Sequence, residues 1–178
     1  YKISVELEIP REMGEDAKAE KSVCTPLHER RGGRSAEHVA LPICSYISLE
    51  KHAKCLKVRT VIDNNARDHR VRVLFPTSTG ARSHKAESVF EAAERPNDHS
   101  AARTYPSGCE HQQGFVMMSD GKCGLAIANI GLYEYETVKD TVALTLLRAV
   151  SEMGDWGVFP TELSQSLGVT ELCYCIAP

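Results

Sequence analysis

Apolar and polar residues alternate along much of the chain, beginning with Ile3, Val5, Leu7 and Ile9 on one side and Ser4, Glu6 and Glu8 on the other. Successive side chains of a strand point to opposite faces, so this pattern predicts a half-buried β-strand. The same signal returns in ICSYISLE (43–50) and in CLKVRTVI (55–62), where Leu56, Val58, Thr60 and Ile62 share a face opposite Lys57 and Arg59. DNNARD (63–68) follows, rich in residues that tolerate left-handed backbone and form Asx-turns, and predicts a hairpin into HRVRVLFP (69–76), where Pro76 stops the ladder. Asp63, Asn64, Asn65 and Asp68 could instead bind calcium, but their spacing fits no EF-hand loop, and turn chemistry is the better account.

Between these strands the pattern lapses. Residues 11 to 41 are polar and carry a basic knot, HERRGGR (28–34), which predicts an exposed loop. From Thr77 to Gln113 the chain loosens again into STGARSHK, a short apolar patch VFEAA and the Pro/Asp/Ser-rich RPNDHSAARTYPSG; a loop this long is usually functional or held by a partner surface. FVMMSDGKCGLAIANIGLYEYE (115–136) then predicts two strands about a tight turn, with Asp120-Gly121 supplying the positive φ angles of a hairpin. A Gly/Pro-containing loop with Trp156 and a last strand, ELCYCIAP (171–178), complete an all-β chain best accommodated as an antiparallel β-sandwich.

DTVALTLLRAV (140–150) could form a helix of about three turns, but its β-branched Thr141, Val142 and Thr145 favour a strand. Read with period two, Val142, Leu144, Leu146, Arg148 and Val150 share one face, leaving Arg148 as the sole charge on an apolar surface. A guanidinium there needs a carboxylate, a carbonyl or a ligand hydroxyl to offset its desolvation. A structural ion pair, or a side chain snorkelling from the strand end, would satisfy it as well as a ligand would.

The 178 residues suffice for one domain with its own core, and 21 Lys plus Arg against 24 Asp plus Glu give no single-sign field to attract nucleic acid or an anionic membrane. No apolar run approaches the roughly 20 residues of a membrane helix, and YKISVELEIP lacks the features of a signal peptide. Seven scattered cysteines, an odd number, suit a reducing compartment, so a soluble cytoplasmic protein is expected. Cys173-x-Cys175 places two thiols on one strand face, but no CxxC and no second half of a zinc motif accompanies it.

Catalytic signatures are absent: there is no GxSxG elbow, Walker loop, GxGxxG or HExxH, and the histidines fall mostly in polar loops. Glycoside chemistry needs two opposed carboxylates. Asp120 is a turn residue first, and Glu134 and Glu136 alternate with Tyr133 and Tyr135, so the acids project to one face and the rings to the other. That arrangement could line a sugar groove, and it equally describes a half-exposed strand.

DNNARDHRVRVLFPT (63–77), HQQGFVMMSDGKCGLAIANIGLYEYE (111–136) and DTVALTLLRAV (140–150) resemble, in that order, the C-terminal β-domain of glycoside hydrolase family 38, the α-mannosidases. TELSQSLG (161–168) and ELCYCIAP (171–178) are similar to the loop and closing strand of bacterial members, so the likeness runs from about Leu41 onward. The resemblance implies a supersandwich fold of the galactose mutarotase type, packed against an N-terminal catalytic domain and helping to wall the mannose site. It also implies that a divalent metal, zinc, bound partly through a His-x-Asp pair, and an aspartate nucleophile reside in that other domain. No His-x-Asp occurs here, so the chain is expected to be a single β-domain, 1–178, from a longer enzyme, inactive alone and without catalytic or metal-binding residues of its own. Arg148 lies about where family members place an arginine near the substrate hydroxyls, and is the one expected sugar contact. Expected partners are an α-mannoside and the catalytic domain, with self-association left open. The alternatives are a stand-alone carbohydrate-binding or structural sandwich, with Tyr133, Tyr135 and Trp156 as stacking rings, and an epimerase of the mutarotase type, which needs an acid and a base across a groove.

Overall fold

The computed structural model describes residues 1–23, 25–26, 29–97, 108–153 and 159–178. Its strands are β1 (Lys2–Pro10), β2 (His38–Ser48), β3 (Leu56–Asn64), β4 (Arg70–Pro76), β5 (Ser83–Ser88), β6 (Glu91–Pro96) and β7 (Cys109–His111). There follow β8 (Phe115–Ser119), β9 (Gly124–Asn129), β10 (Glu134–Val138), β11 (Thr141–Arg148), β12 (Glu152–Met153), β13 (Phe159–Pro160) and β14 (Gly168–Ala177). One helix, α1 (Glu15–Ser22), and a 3-10 turn over Glu162–Gln165 complete the described elements. An eight-stranded sheet in the order β1-β2-β3-β14-β9-β8-β5-β6 faces a four-stranded sheet β4-β11-β10-β7, with β12 and β13 as a separate ribbon. All neighbours run antiparallel, so the expected all-β sandwich is what forms.

Alternation builds the core. Val58, Thr60, Ile62 and Asn64 of β3 are buried on one face while Lys57 and Arg59 point away, as the pattern requires. Val116, Met118 and Ile127 of the β8–β9 hairpin join them from the large sheet, and Phe75, Val142, Leu144 and Leu146 close over them from the small one. Phe75 meets Tyr174 edge-on, ring centroids 5.9 Å apart, which ties β4 to β14 across the sandwich. The β8–β9 hairpin forms, but its loop is residues 120–123 and only Gly121, at φ +85°, takes the positive φ expected of both Asp120 and Gly121; Asp120 Oδ1 instead accepts from Lys122 N at 2.8 Å and Cys123 N at 2.9 Å.

Four expectations are corrected. DNNARD does not close a hairpin, because β3 lies in the large sheet and β4 in the small one; the segment turns the corner between layers. Buried Asn64 donates to the carbonyls of Gln165 and Ser166 and accepts from Ala66 N at 3.1 Å, so its turn chemistry is anchored by the C-terminal segment rather than by a partner strand. The segment from Thr77 to Gln113 is not a single loop but contains the β5–β6 hairpin and β7. Residues 11 to 41 contain α1, which buries none of its side chains, and the start of β2. Finally, β1 forms, yet Ile3, Val5 and Leu7 are not half-buried but exposed.

Candidate functional site

The outer face of the small sheet gathers Arg70 and Arg72 from β4, Glu134 and Glu136 from β10, and Thr145 and Arg148 from β11. Register explains why. Thr145 lies opposite Arg72, but the ladder then slips, and it is Leu147 that lies opposite Val71 and Arg148 opposite Arg70. Leu146 is the extra residue of a β-bulge, and a bulge reverses which side the following residues face. Arg148 therefore leaves the apolar face shared by Val142 and Leu144 and joins the charged one, so it is not a lone charge on an apolar surface.

Its partner is Glu134, which also accepts from Thr145 Oγ1 at 2.8 Å and pairs with Arg70 at 3.3 Å. Glu136 pairs with Arg72, and with Arg70 at 3.7 Å. Burial alone would raise the Glu134 carboxyl, but the hydrogen bond from Thr145 and the charge and hydrogen bond of Arg148 outweigh it and hold the group below the usual carboxylate range. Glu134 is thus ionised at neutral pH and holds no proton to donate, which disfavours it as the acid of an epimerase. The Arg148 side chain remains 54% exposed at the strand end.

The rings behave differently from the stacking surface outlined above. Tyr135 alternates with the two acids, but its side of β10 is the interior, and it is fully buried. Tyr133 precedes the strand and is 64% exposed, while Trp156 lies outside the described residues. The Tyr135 hydroxyl instead sits in a polar network that the sequence did not disclose. Asn97 Nδ2 donates to the Ala81 carbonyl, which leaves Asn97 Oδ1 facing His84 Nδ1 at 2.7 Å as an acceptor. With the ring neutral and its proton on Nδ1, His84 Nε2 accepts the Tyr135 hydroxyl proton at 2.6 Å. Arg95 Nη1 donates to the same hydroxyl at 2.9 Å, and Arg95 pairs with Glu110 at 3.1 Å in a largely buried bridge between the sheets.

Asp120 is confirmed as a turn residue, its carboxyl lowered by the backbone N–H groups of Cys123 and Lys122. Cys173 and Cys175 share the outward face of β14, where burial, and then the neighbouring Cys55, push the Cys175 thiol up. Among the described residues no group of three His, Cys, Asp or Glu side chains could hold a metal ion, and no helix is long and apolar enough to cross a membrane. The implied zinc therefore finds no fit among the described residues.

Residues 4–153 match the family described as glycosyl hydrolases family 38 C-terminal domain. The chain is 40% identical over 172 residues to a Halalkalibacterium halodurans protein named "Putative mannosylglycerate hydrolase", covering 97% of this chain and 19% of that protein. It superposes on an α-mannosidase from Enterococcus faecalis V583 with a TM-score of 0.93 at 36% identity, over 99% of this chain and 20% of that one. A glycosyl hydrolase family 38 protein from Enterococcus faecalis gives 0.90 at 35% identity, again over 99% and 20%. The chain thus spans about a fifth of the length of the relatives it matches. Order of strands, extent of the match and identity agree, and the chain belongs to the C-terminal domain family of family 38 glycosyl hydrolases.

Proposed function

We propose that this chain is the non-catalytic β-domain of a longer cytoplasmic, retaining α-mannoside hydrolase, and that it supports and walls the sugar site. The observation that carries this reading is the match of nearly the whole chain to one fifth of much longer glycosyl hydrolases. The ion-paired carboxylates of the small sheet suit support rather than chemistry. The metal, the nucleophile and the acid belong to the N-terminal catalytic domain, against which this domain packs. Arg148 is the residue this chain offers to the sugar: its guanidinium is oriented by Glu134 and half exposed at a strand end, suited to donating to a pair of hydroxyls.

The relatives named for mannosylglycerate hydrolysis and for α-mannosidase activity share a mannosyl bond and differ in the leaving group. The full-length enzyme, assayed on an aryl α-mannoside and on mannosylglycerate with and without chelator, tests the reading. Chelator-sensitive release of mannose supports it, and the preferred leaving group refines it. Activity of residues 1–178 alone, or a full-length protein inactive on both substrates, would overturn it.

A further inference from the structure

The two edges of the large sheet end differently. At β6, Arg95 and Ala93 stand opposite His84 and Ala86 on the core side, and Arg95 reaches across to Glu110 of β7, so an ion pair closes the sandwich. At the other edge, Ile3, Val5 and Leu7 lie opposite Ser45, Ile43 and Leu41, and Ser45 and Ile43 lie opposite the buried Thr60 and Ile62. The three side chains therefore continue the core face, yet they are 50%, 44% and 42% exposed. The other side of β1 carries Lys2, Ser4, Glu6 and Glu8, as a solvent face should.

The small sheet is too narrow to cover them. Its β7 lies against β6 through Glu110 and Arg95, its β10 against β5 through Tyr135 and His84, and its β4 against β14 through Phe75 and Tyr174. Beyond β14 the large sheet still runs through β3 and β2 to β1, while β4 has no strand partner other than β11 among the described residues. A nine-residue edge strand with no register shift and an apolar open side invites pairing and aggregation unless something covers it.

We propose that an apolar segment of the same polypeptide, outside residues 1–178, lies over Ile3, Val5 and Leu7 in the position of the next strand of the small sheet beyond β4. The occupant follows from length: relatives run to about five times this chain, so the longer enzyme holds ample sequence to complete the layer. The inference rests on the reading that the chain is part of such an enzyme, but its test does not depend on catalysis.

The test is maleimide labelling of Val5→Cys, and separately of Leu7→Cys, in the full-length enzyme, read by mass on the peptide that carries each. Native protein, shown monomeric by light scattering, is expected to react at least about a hundredfold more slowly than the same protein in urea, because access then requires local opening. Labelling at close to the unfolded rate overturns the proposal. Protection present only where the protein is dimeric also overturns it, and assigns the face to a second copy. A protected but inactive enzyme would refute the proposed function alone; an active, freely labelled one would refute this inference alone.

Discussion

Arg148 on β11 is paired with Glu134 on β10, and the bulge at Leu146 is what turns the guanidinium toward that carboxylate. Exposed ion pairs contribute about 0–1 kcal/mol, so Arg148→Ala should shift the stability of the chain by less than about 1 kcal/mol. In the full-length enzyme the same change should lower kcat/KM on an aryl α-mannoside about 10- to 100-fold, the loss of a charged hydrogen bond of about 1.5–3 kcal/mol. Glu134→Gln should produce a smaller loss by freeing the guanidinium. Urea denaturation and steady-state kinetics separate these outcomes; an Arg148→Ala enzyme with unchanged kcat/KM would make the pair purely structural.

Tyr135→Phe tests the buried network. It removes the hydroxyl that donates to His84 Nε2 and accepts from Arg95, in a position closed to water. Leaving buried partners unsatisfied costs about 1–3 kcal/mol each, so this isosteric change should destabilise more than Tyr133→Phe at an exposed ring. A double-mutant cycle with His84→Ala should show a coupling of about 0.5–3 kcal/mol by urea denaturation.

Alternation made β3, β4, the β8–β9 hairpin and β14 legible, because each buries one apolar side, whereas β11, buried on both faces from Val142 to Leu147, was legible through its β-branched residues. Strands β5 and β6, SHKAES and EAAERP, have no such stripe; they are held by pairing and by His84 and Arg95 reaching into the polar network. Helix α1 buries nothing and left no periodic signal. At the candidate site, alternation correctly separated Tyr135 from Glu134 and Glu136, but which side faces solvent is decided by the opposing sheet. The bulge was invisible because the register of β4, not the local sequence of β11, defines it.

The basic knot has an anchor that its composition hides. Glu20 of α1 accepts from the backbone N–H groups of Arg31 and Gly32, both at 2.9 Å, and the Gly32 and Arg31 bonds lower its carboxyl. A Cβ at Gly32 would stand 2.3 Å from Ala17 N and 2.4 Å from its Cα, so Gly32→Ala must push the helix backbone away. The expected loss is about 1–3 kcal/mol, with faster hydrogen exchange confined to α1 and residues 30–34. Exchange unchanged from the wild type would show that the helix is not seated on this loop.

Asp68 should make stability depend on acid pH. It sits at φ +53° where the chain turns from β3 to β4, and its Oδ1 accepts from Ser151 N and Gln165 Nε2, both at 2.9 Å. Burial would raise this carboxyl, but the Gln165 and Ser151 hydrogen bonds and the charge of Lys21 together bring it below its ordinary value. A group whose folded value is depressed stabilises the fold fully above its unfolded pKa of about 3.9, and loses that contribution as pH falls through the folded value. Asp68→Ala should therefore cost about 1–3 kcal/mol at pH 7, the penalty for stranding two partly buried donors. The gap between the variant and the wild type should narrow below about pH 4, since the wild type then also loses its carboxylate. Urea denaturation of both proteins from pH 7 to pH 2.5 measures it; a gap that stays constant across that range would mean that Asp68 acts through its backbone and not through its charge.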